Sequence, residues 1–410
     1  MRKFGLTLVA VSLLMGCQTV TSAGTAPAST ASAQQTVVLI SLDGFRWDYI
    51  EKYGAKNLVA MATDGVRAKQ MRPAYPTKTF PNHLTLITGL YPTHHGIVDN
   101  HFCDKARQQC YSMGDGGKDS TWIKGIPLWN LAELNGLKSA TYFWPESDAR
   151  IDGMTPNYYY HYSQQADYQD RVTQIIDWLK LPKDKRPQFV AGYFSLVDTM
   201  GHRYGPDAPE TGEAVRRVDL LIGELRDRIK AEIKQPVNLI VVSDHGMATI
   251  DMDKAIDART LPISKDFQVV NAGTRLMLYA KPGVDAMAIA KQKAKLKGDT
   301  RFQVDTAEQL QALHYVNSPR VADIILDTHA PLVFTDKPKA KRYQGHGNHG
   351  FIYTKDMGAL FVAEGPAFKK GVLLPAFDNV DLYPTVAKIL GIKLLSKVDG
   401  TTQGLEAGLK

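Results

Sequence analysis

Cysteine is scarce in this chain: there are three in 410 residues, and one of them, Cys17, closes an N-terminal apolar stretch. The two that remain, Cys103 and Cys110, are separated by a short loop. In an exported chain such a pair favours a bridge over free thiols, and no histidines stand at ligand spacing to make it a metal site. Clustered positive charge is also missing. The formal charge of +7 and the pI near 9.0 come from scattered lysines and arginines, with no basic helix and no nucleic-acid motif. Duplex nucleic acid is therefore not an expected partner, and the excess reads as solubility and mild steering of anionic substrates. Long apolar runs are lacking as well, since Phe4 to Met15 is shorter than the about 20 residues of a bilayer-spanning helix. What is present is ordinary for a globular protein: 44% hydrophobic and 22% charged residues allow a sizeable core in one large or two ordinary domains.

Arg2 and Lys3, the apolar run and Leu14-Met15-Gly16-Cys17 together predict an export signal over residues 1–17. It is similar to a bacterial lipoprotein signal, whose cysteine is lipidated and becomes the new N-terminus; cleavage after Ala31-Ser32-Ala33 is the alternative. Residues 18–36, rich in Thr, Ser and Ala without apolar periodicity, read as a flexible tether. The chain is thus expected in the periplasm of a bacterium or anchored at a membrane, touching lipid only through its N-terminus.

The stretch Tyr75-Pro-Thr-Lys-Thr-Phe-Pro-Asn-His83 presents a hydroxyl, Thr79, where a loop becomes a helix that continues to Gly89, with Pro81 in its first turn. Alone, Thr79 reads as a cap that satisfies a backbone N–H. Acidic residues change that reading. An apolar strand from Thr36 to Leu42 ends on Asp43; another, from Gln188 to Val197, ends on Asp198 with His202 four residues later; a third, Val237 to Val242, leads to Asp244 and His245. Open α/β sheets place their chemistry at the carboxyl ends of strands, and capping does not predict a repeated acid and imidazole pair. The glycine-rich turn Gly345 to Gly350 adds His346 or His349.

Other candidates read as structural. Adjacent His94 and His95 have diverging side chains and belong to a loop, and Lys337, Lys339, Lys341 and Arg342 around Pro338 form a solvated loop. The tyrosines from Tyr158 to Tyr162 either pack or line a groove for a flat group such as a nucleobase. From about residue 255 to 344 the rhythm changes. A strand around Phe267 to Ala280, helices near Val284 to Leu296 and Ala307 to Leu313, and a strand near Val321 to Leu326 predict a small α+β insertion. Six ligands suffice for two metal sites, and three histidines among them favour zinc over magnesium or calcium. Coordination would lower the pKa of Thr79 and make it a nucleophile, with the helix N-terminus favouring anionic oxygen.

These residues resemble the nucleotide pyrophosphatase/phosphodiesterase family of the alkaline phosphatase superfamily, from about Val37 to Leu390. The motifs are Asp43-Gly44-Phe45-Arg46, Lys78-Thr79-Phe80-Pro81-Asn82-His83, Thr88-Gly89-Leu90-Tyr91-Pro92 with His95-Gly96-Ile97, Phe143-Trp144-Pro145, Asp198 with Gly201-His202, Ser243-Asp244-His245-Gly246-Met247, and His349-Gly350. The resemblance implies an α/β fold of the alkaline-phosphatase-like kind, a mostly parallel central sheet with helices on both faces and a small inserted α+β cap. The catalytic core would occupy residues 37–254 and 345–410 and the cap 255–344, in a bacterial member made of the catalytic domain alone. It implies two Zn2+, one on Asp198, His202 and His349 and one on Asp43, Thr79, Asp244 and His245. Asn100 would hold a phosphoryl oxygen, and Phe80 and Tyr193 would flank the organic groups, with Tyr162 offering further apolar surface to a nucleoside.

The implied reaction is hydrolysis of nucleotide phosphodiester and pyrophosphate bonds through a covalent threonyl intermediate, releasing a nucleoside monophosphate. A choline- or lipid-type phosphodiesterase or a phosphomonoesterase on the same fold is the alternative. A monoesterase would need an extra cation, for which these motifs offer only Arg46. A sulfatase is disfavoured, since neither Cys-x-Pro-x-Arg nor Ser-x-Pro-x-Arg occurs, and a binding protein on this fold would have lost a ligand or the nucleophile. One departure bears on loop shape near the pocket: Glu146 stands where the family usually has glycine. Replacing Cys17 by Ser should shift the protein from the membrane fraction to the soluble periplasm; a wild-type chain already soluble, with Gln34 as its first residue, would rule lipidation out.

Overall fold

The computed structural model describes residues 34–337 and 344–410, together with Met1. The export signal with Cys17, the tether up to residue 33 and the basic stretch Lys339, Lys341 and Arg342 lie outside the described residues.

Thr36–Leu42 is buried at every position and lies within an eight-stranded sheet, paired in parallel with Phe189–Phe194 on one side and Val237–Val242 on the other. Ser139–Tyr142 and Tyr158–Tyr160 extend the sheet in parallel beyond Phe189–Phe194. On the far side Phe361–Glu364 runs antiparallel between Val237–Val242 and Val66–Ala68, and Val372–Leu374 forms the edge. Strand alternation sends Val37 and Leu39 to one face and Val38 and Ile40 to the other, and each pair joins a separate apolar cluster. Helices cover both faces, which is why the strand reads as an unbroken apolar run. Tyr168–Lys180 and Pro209–Glu232 pack on one side, Thr79–Thr88 and Leu382–Leu390 on the other. Tyr168–Lys180 shows the cause: Val172, Ile175, Ile176 and Leu179 share its buried face, and Asp167 caps it by accepting the Gln169 N–H.

The stretch around Phe267 to Ala280, expected as one strand, is a hairpin of Phe267–Asn271 and Arg275–Ala280. Its turn is made by Asn271, whose side chain accepts the Gly273 N–H at 2.9 Å, and by Gly273 at φ 79°. Apolar residues continuing on both sides of the turn masked a signal that Asn-Ala-Gly-Thr carries in its own chemistry. With Ile324–Asp327 and Gln303–Val304 the hairpin forms a four-stranded antiparallel sheet. Leu276, Leu278, Ile324 and Leu326 pack with Leu296 of the helix Ala286–Leu296, while Met277, Tyr279 and Ile325 on the opposite face enter the main core. Cys103 and Cys110 are bridged, across a hairpin of His101–Asp104 and Gln109–Ser112.

One fully buried ion pair joins the second sheet to the segment before that hairpin. Arg275 donates Nε and Nη2 to Asp99 Oδ2 at 2.8 and 2.5 Å, and Nη2 also reaches the Val98 carbonyl and the Tyr315 hydroxyl, each at 3.1 Å. Arg275→Met would leave the Asp99 carboxylate buried without its partner and should lower the unfolding free energy by about 3–5 kcal/mol. Adding Asp99→Leu should recover most of that loss. Urea unfolding of the two variants checks both values, and a single-variant loss below about 1 kcal/mol would show the pair to be energetically idle.

Candidate active site

Because neighbouring strands run in parallel, their following residues arrive at one edge. Asp43 comes directly after Thr36–Leu42; its N–H donates to the Phe194 carbonyl at 2.9 Å and its carbonyl accepts the Asp198 N–H at 3.0 Å. Gly44 then turns at φ 67°, and a Cβ there would lie 2.9 Å from Asp198 Cα, so glycine is what lets the two acids approach. The Gly44 N–H donates to Asp244 Oδ1 at 3.1 Å. The strand expected to reach Val197 stops at Phe194, and Asp198 and His202 stand one turn apart on the helix Leu196–Tyr204, hence on one face. His202 Nε2 is 3.5 Å and His349 Nε2 3.6 Å from Asp198 Oδ1. His346, the other histidine of the glycine-rich turn, is exposed.

Tautomers follow from the backbone. Nδ1 of His202 lies 2.9 Å from the Gly347 carbonyl, that of His349 2.8 Å from Thr77 and that of His245 2.9 Å from Gly246. A carbonyl only accepts, so each Nδ1 carries the proton and each Nε2 presents a lone pair. Two such lone pairs, on His202 and His349, are 3.1 Å apart. Asp43 Oδ1, Asp198 Oδ1 and Asp244 Oδ2 are buried without a hydrogen-bond donor, although Asp244 Oδ2 lies 2.9 Å from His245 Nε2. Opposed lone pairs and orphaned carboxylate oxygens are an arrangement that a divalent cation satisfies and protein hydrogen bonds do not. Ligand atoms of Asp198, His202 and His349 all lie within 4.8 Å of one another, as do those of Asp43, Asp198 and His245, so Asp198 belongs to both groups. Burial, then Asp244 and Asp198, push the Asp43 carboxyl well above its ordinary value. Burial and Asp198 push Asp244 up to about 8, and burial pushes His349 well down.

Thr79 is the first residue of its helix, with Lys78 extended at the cap position; its Oγ1 lies 3.3 Å from His245 Nε2. Asn100 Oδ1 accepts the Phe80 N–H at 2.9 Å, which leaves its Nδ2 group as a donor beside the helix N-terminus. Tyr193 donates its hydroxyl to Asp43 Oδ2, a tie to a carboxylate that the reading of Tyr193 as a flanking aromatic did not contain. His83 was quoted only as part of a motif, yet its Nδ1 donates to the Thr79 carbonyl and its Nε2 accepts from Ser41 Oγ, both at 2.8 Å. Burial holds it neutral by pushing its pKa to about 3. Its position one turn beyond Thr79 was the available signal.

A cleft of about 430 Å³ opens beside Thr79, walled by Phe80, Met113, Trp144, Tyr162 and Tyr193 among others. The tyrosine cluster divides between the two readings left open for it. Tyr158 stacks at 6.4 Å on Trp178 and donates to the Lys185 carbonyl, whereas Tyr162 is 54% exposed at the rim of the cleft, its ring 5.3 Å from Phe143. His94 and His95 lie in a short helix, Pro92–His95, rather than a loop. His94 faces Asp399 at 2.7 Å, and His95 is buried against Thr85 Oγ1 and the Pro81 carbonyl. Arg46 is engaged by Asp48, the Met247 carbonyl and Asp356.

Residues 37–352 match the family model described as Type I phosphodiesterase / nucleotide pyrophosphatase, and the chain belongs to that family. It is 35% identical over 367 residues to human ectonucleotide pyrophosphatase/phosphodiesterase family member 1, covering 87% of this chain and 40% of that one. To the venom phosphodiesterase of Naja atra it is 34% identical over 371 residues, 88% of this chain and 45% of that one. The chain thus spans less than half the length of these relatives. Murine ectonucleotide pyrophosphatase/phosphodiesterase 5, in an inactive threonine-to-alanine form in complex with AMP, matches with a TM-score of 0.84 at 28% identity, covering 92% of this chain and all of that chain. The alkaline-phosphatase-like α/β architecture implied by the motifs is the one the chain adopts.

Raised carboxyl pKa values at Asp43 and Asp244 remove stability from metal-free protein as pH rises towards about 8. The neutral, buried His83 and His349 act in the opposite direction up to the ordinary histidine value of about 6.5, so the unopposed fall should lie between about pH 6.5 and 8. Thermal melts of chelated protein across that window should show the fall, and an added divalent metal ion such as Zn2+ should restore most of it at the alkaline end. Identical melts with and without metal near pH 8 would exclude a metal centre here.

Proposed function

We propose that this chain is a two-zinc phosphodiesterase and pyrophosphatase that hydrolyses nucleotide diester and anhydride bonds through a covalent threonyl intermediate and releases a nucleoside monophosphate. The observation that carries the reading is the placement of Thr79 Oγ1: it sits on a helix N-terminus, 3.3 Å from His245 Nε2 and at the mouth of an aromatic cleft. Asp198, His202 and His349 would hold one ion, and Asp43, Asp244, His245 and Thr79 the other. The ions, when bound, lower the pKa of the threonine hydroxyl and offset the negative charge of the phosphate.

The residues of the chain do the rest. The Asn100 amide donates to a phosphoryl oxygen, held in orientation by the Phe80 N–H. Partial positive charge at the start of Thr79–Thr88 favours the anionic phosphorus group. His83 fixes the Thr79 carbonyl, and with it the first turn that aims Oγ1. The threonine oxygen attacks phosphorus, the alcohol or phosphate opposite departs, and the retained nucleotide stays esterified to Thr79. Water then cleaves that ester, regenerating the hydroxyl and freeing the monophosphate. Phe80, Tyr162 and Tyr193 offer surface to the nucleoside. A monoester brings one more negative charge, and among the residues lining the cleft there is neither lysine nor arginine to meet it. The AMP bound to the murine relative supports the nucleotide assignment, and the signal-like N-terminus supports export.

Thr79→Ala should keep the fold and the metal-dependent melt while losing most turnover, and Thr79→Ser should retain a measurable part because the hydroxyl survives. Wild type should prefer a nucleoside 5′-aryl phosphate diester over the matching aryl monoester in kcat/KM. Stacking contributes about 1–3 kcal/mol per base to that preference. Equal values for the two esters, or an active alanine variant, would reject the reading.

A further inference from the structure

The cleft wall contains a buried carboxyl that plays no part in the reaction described above. Glu146 follows Phe143-Trp144-Pro145, lines the cleft and is 4% exposed. Its φ is 61°, in the left-handed region that side chains avoid. Burial raises its pKa to about 7. A buried acid on a disfavoured backbone is retained where its contacts compensate.

Those contacts all lead to one segment. Glu146 Oε1 accepts the Tyr111 hydroxyl and, at 3.2 Å, the Gly116 N–H. A Cβ on Gly116 would lie 2.6 Å from both Glu146 Cδ and Oε2, so the carboxyl occupies space that glycine alone leaves open. Tyr111 is fully buried, stacked at 5.0 Å on Phe102 and edge-on to Trp122. It belongs to Gln109–Ser112, the strand bridged through Cys110 to Cys103. That strand runs directly into Met113 and Gly114, which line the same cleft as Tyr162. Between residues 112 and 118 Gly116 alone is buried. Glu146 therefore grips the segment at its one inward residue and at the tyrosine that roots it.

We propose that Glu146 is a specificity-determining positioning residue: by clamping Tyr111 and Gly116 it fixes the wall formed by Met113 and Gly114 against which the retained nucleoside arm of the substrate lies. The proposal rests on the nucleotide reading of this cleft. Glu146 acts through the wall and not on the reacting atoms, so its removal should weaken binding of substrates that carry the arm and spare the turnover of bound substrate.

Two diesters with the same aryl leaving group test it, one retaining a nucleoside and one retaining a second aryl group. Glu146→Gly deletes the carboxyl and also relieves the left-handed backbone, so a loss in this variant is not backbone strain. It should raise KM for the nucleoside ester about tenfold with kcat nearly unchanged, and change kcat/KM for the bis-aryl ester by less than about twofold. Glu146→Gln keeps an acceptor for both donors and should restore most of the affinity. Tyr111→Phe, a milder change made from the other side of the clamp, should raise the same KM in the same direction. An unchanged KM in Glu146→Gly, or an equal loss on both esters, overturns the proposal. If that variant does not fold, an unchanged KM in Tyr111→Phe overturns it and a raised one supports it. Wild type that does not distinguish the two diesters refutes the nucleotide reading itself, whereas a preference that survives Glu146→Gly refutes only the clamp.

Discussion

Three carboxylates, Asp43, Asp198 and Asp244, meet at the carboxyl ends of the central strands where water has little access, and their mutual repulsion governs the surroundings. Asp43 and Asp244 are essentially unexposed, and no arginine or lysine stands among the residues that line the cleft with Asp43 and Asp198. The one arginine in the neighbouring motif, Arg46, is committed to Asp48 and Asp356. What the fold supplies is mostly neutral: imidazole lone pairs with their tautomers set by backbone carbonyls, the Tyr193 hydroxyl and the N-terminal end of a helix, beside a single buried ammonium, Lys78, whose Nζ donates to the Ala272 carbonyl. One ammonium does not balance three carboxylates, so the site completes its charge by taking cations from solution, and the protein keeps in one place both the need for metal and the donors that meet it.

The same economy explains how the nucleophile is held. Thr79 has no carboxylate partner to fix it; its place is set by the helix it begins, and the helix is set by His83 below and by Asn100, whose carbonyl oxygen takes the Phe80 N–H. Ser41 on the central strand completes the support through His83. The strand that delivers Asp43 and the helix that delivers Thr79 are thus in direct hydrogen-bonded contact, and a shift of either would be felt by both.

Much of this was legible in the sequence because the chemistry lies at the ends of buried strands, and a buried parallel strand announces itself as an apolar run. Thr36–Leu42 and Val237–Val242 were readable to the residue, and the acids after them followed. Asp198 was readable as a site residue, although the helix carrying it begins sooner than its apolar lead suggested. The hairpin turn at Gly273 was concealed by apolar residues on either side. Contacts between distant segments had no local signature at all. Nothing near Asp99 indicates an arginine 176 residues later, and nothing around Glu146 indicates that its side chain turns inward to Tyr111. His83 and Tyr193 were visible as residues but not as supports, because the partners that define them, Ser41 and Asp43, are brought close only by the sheet.

The Arg275 and Asp99 pair bears on how freely the fold can exchange its parts. The four-stranded sheet has its own apolar layer and looks, in chain order, like a separable piece. Yet the arginine it contributes neutralises a core aspartate whose Oδ1 accepts the Asn100 N–H at 2.7 Å, next to the residue that faces the substrate phosphate in our reading. The four-stranded sheet and the segment before Asn100 thus share one electrostatic unit. A chimaera built by exchanging that sheet inherits a buried, unneutralised acid beside Asn100 unless the incoming segment brings a cation to the same point. The boundary that looks modular along the chain is therefore not modular in charge, and grafting must respect that pairing before it considers shape.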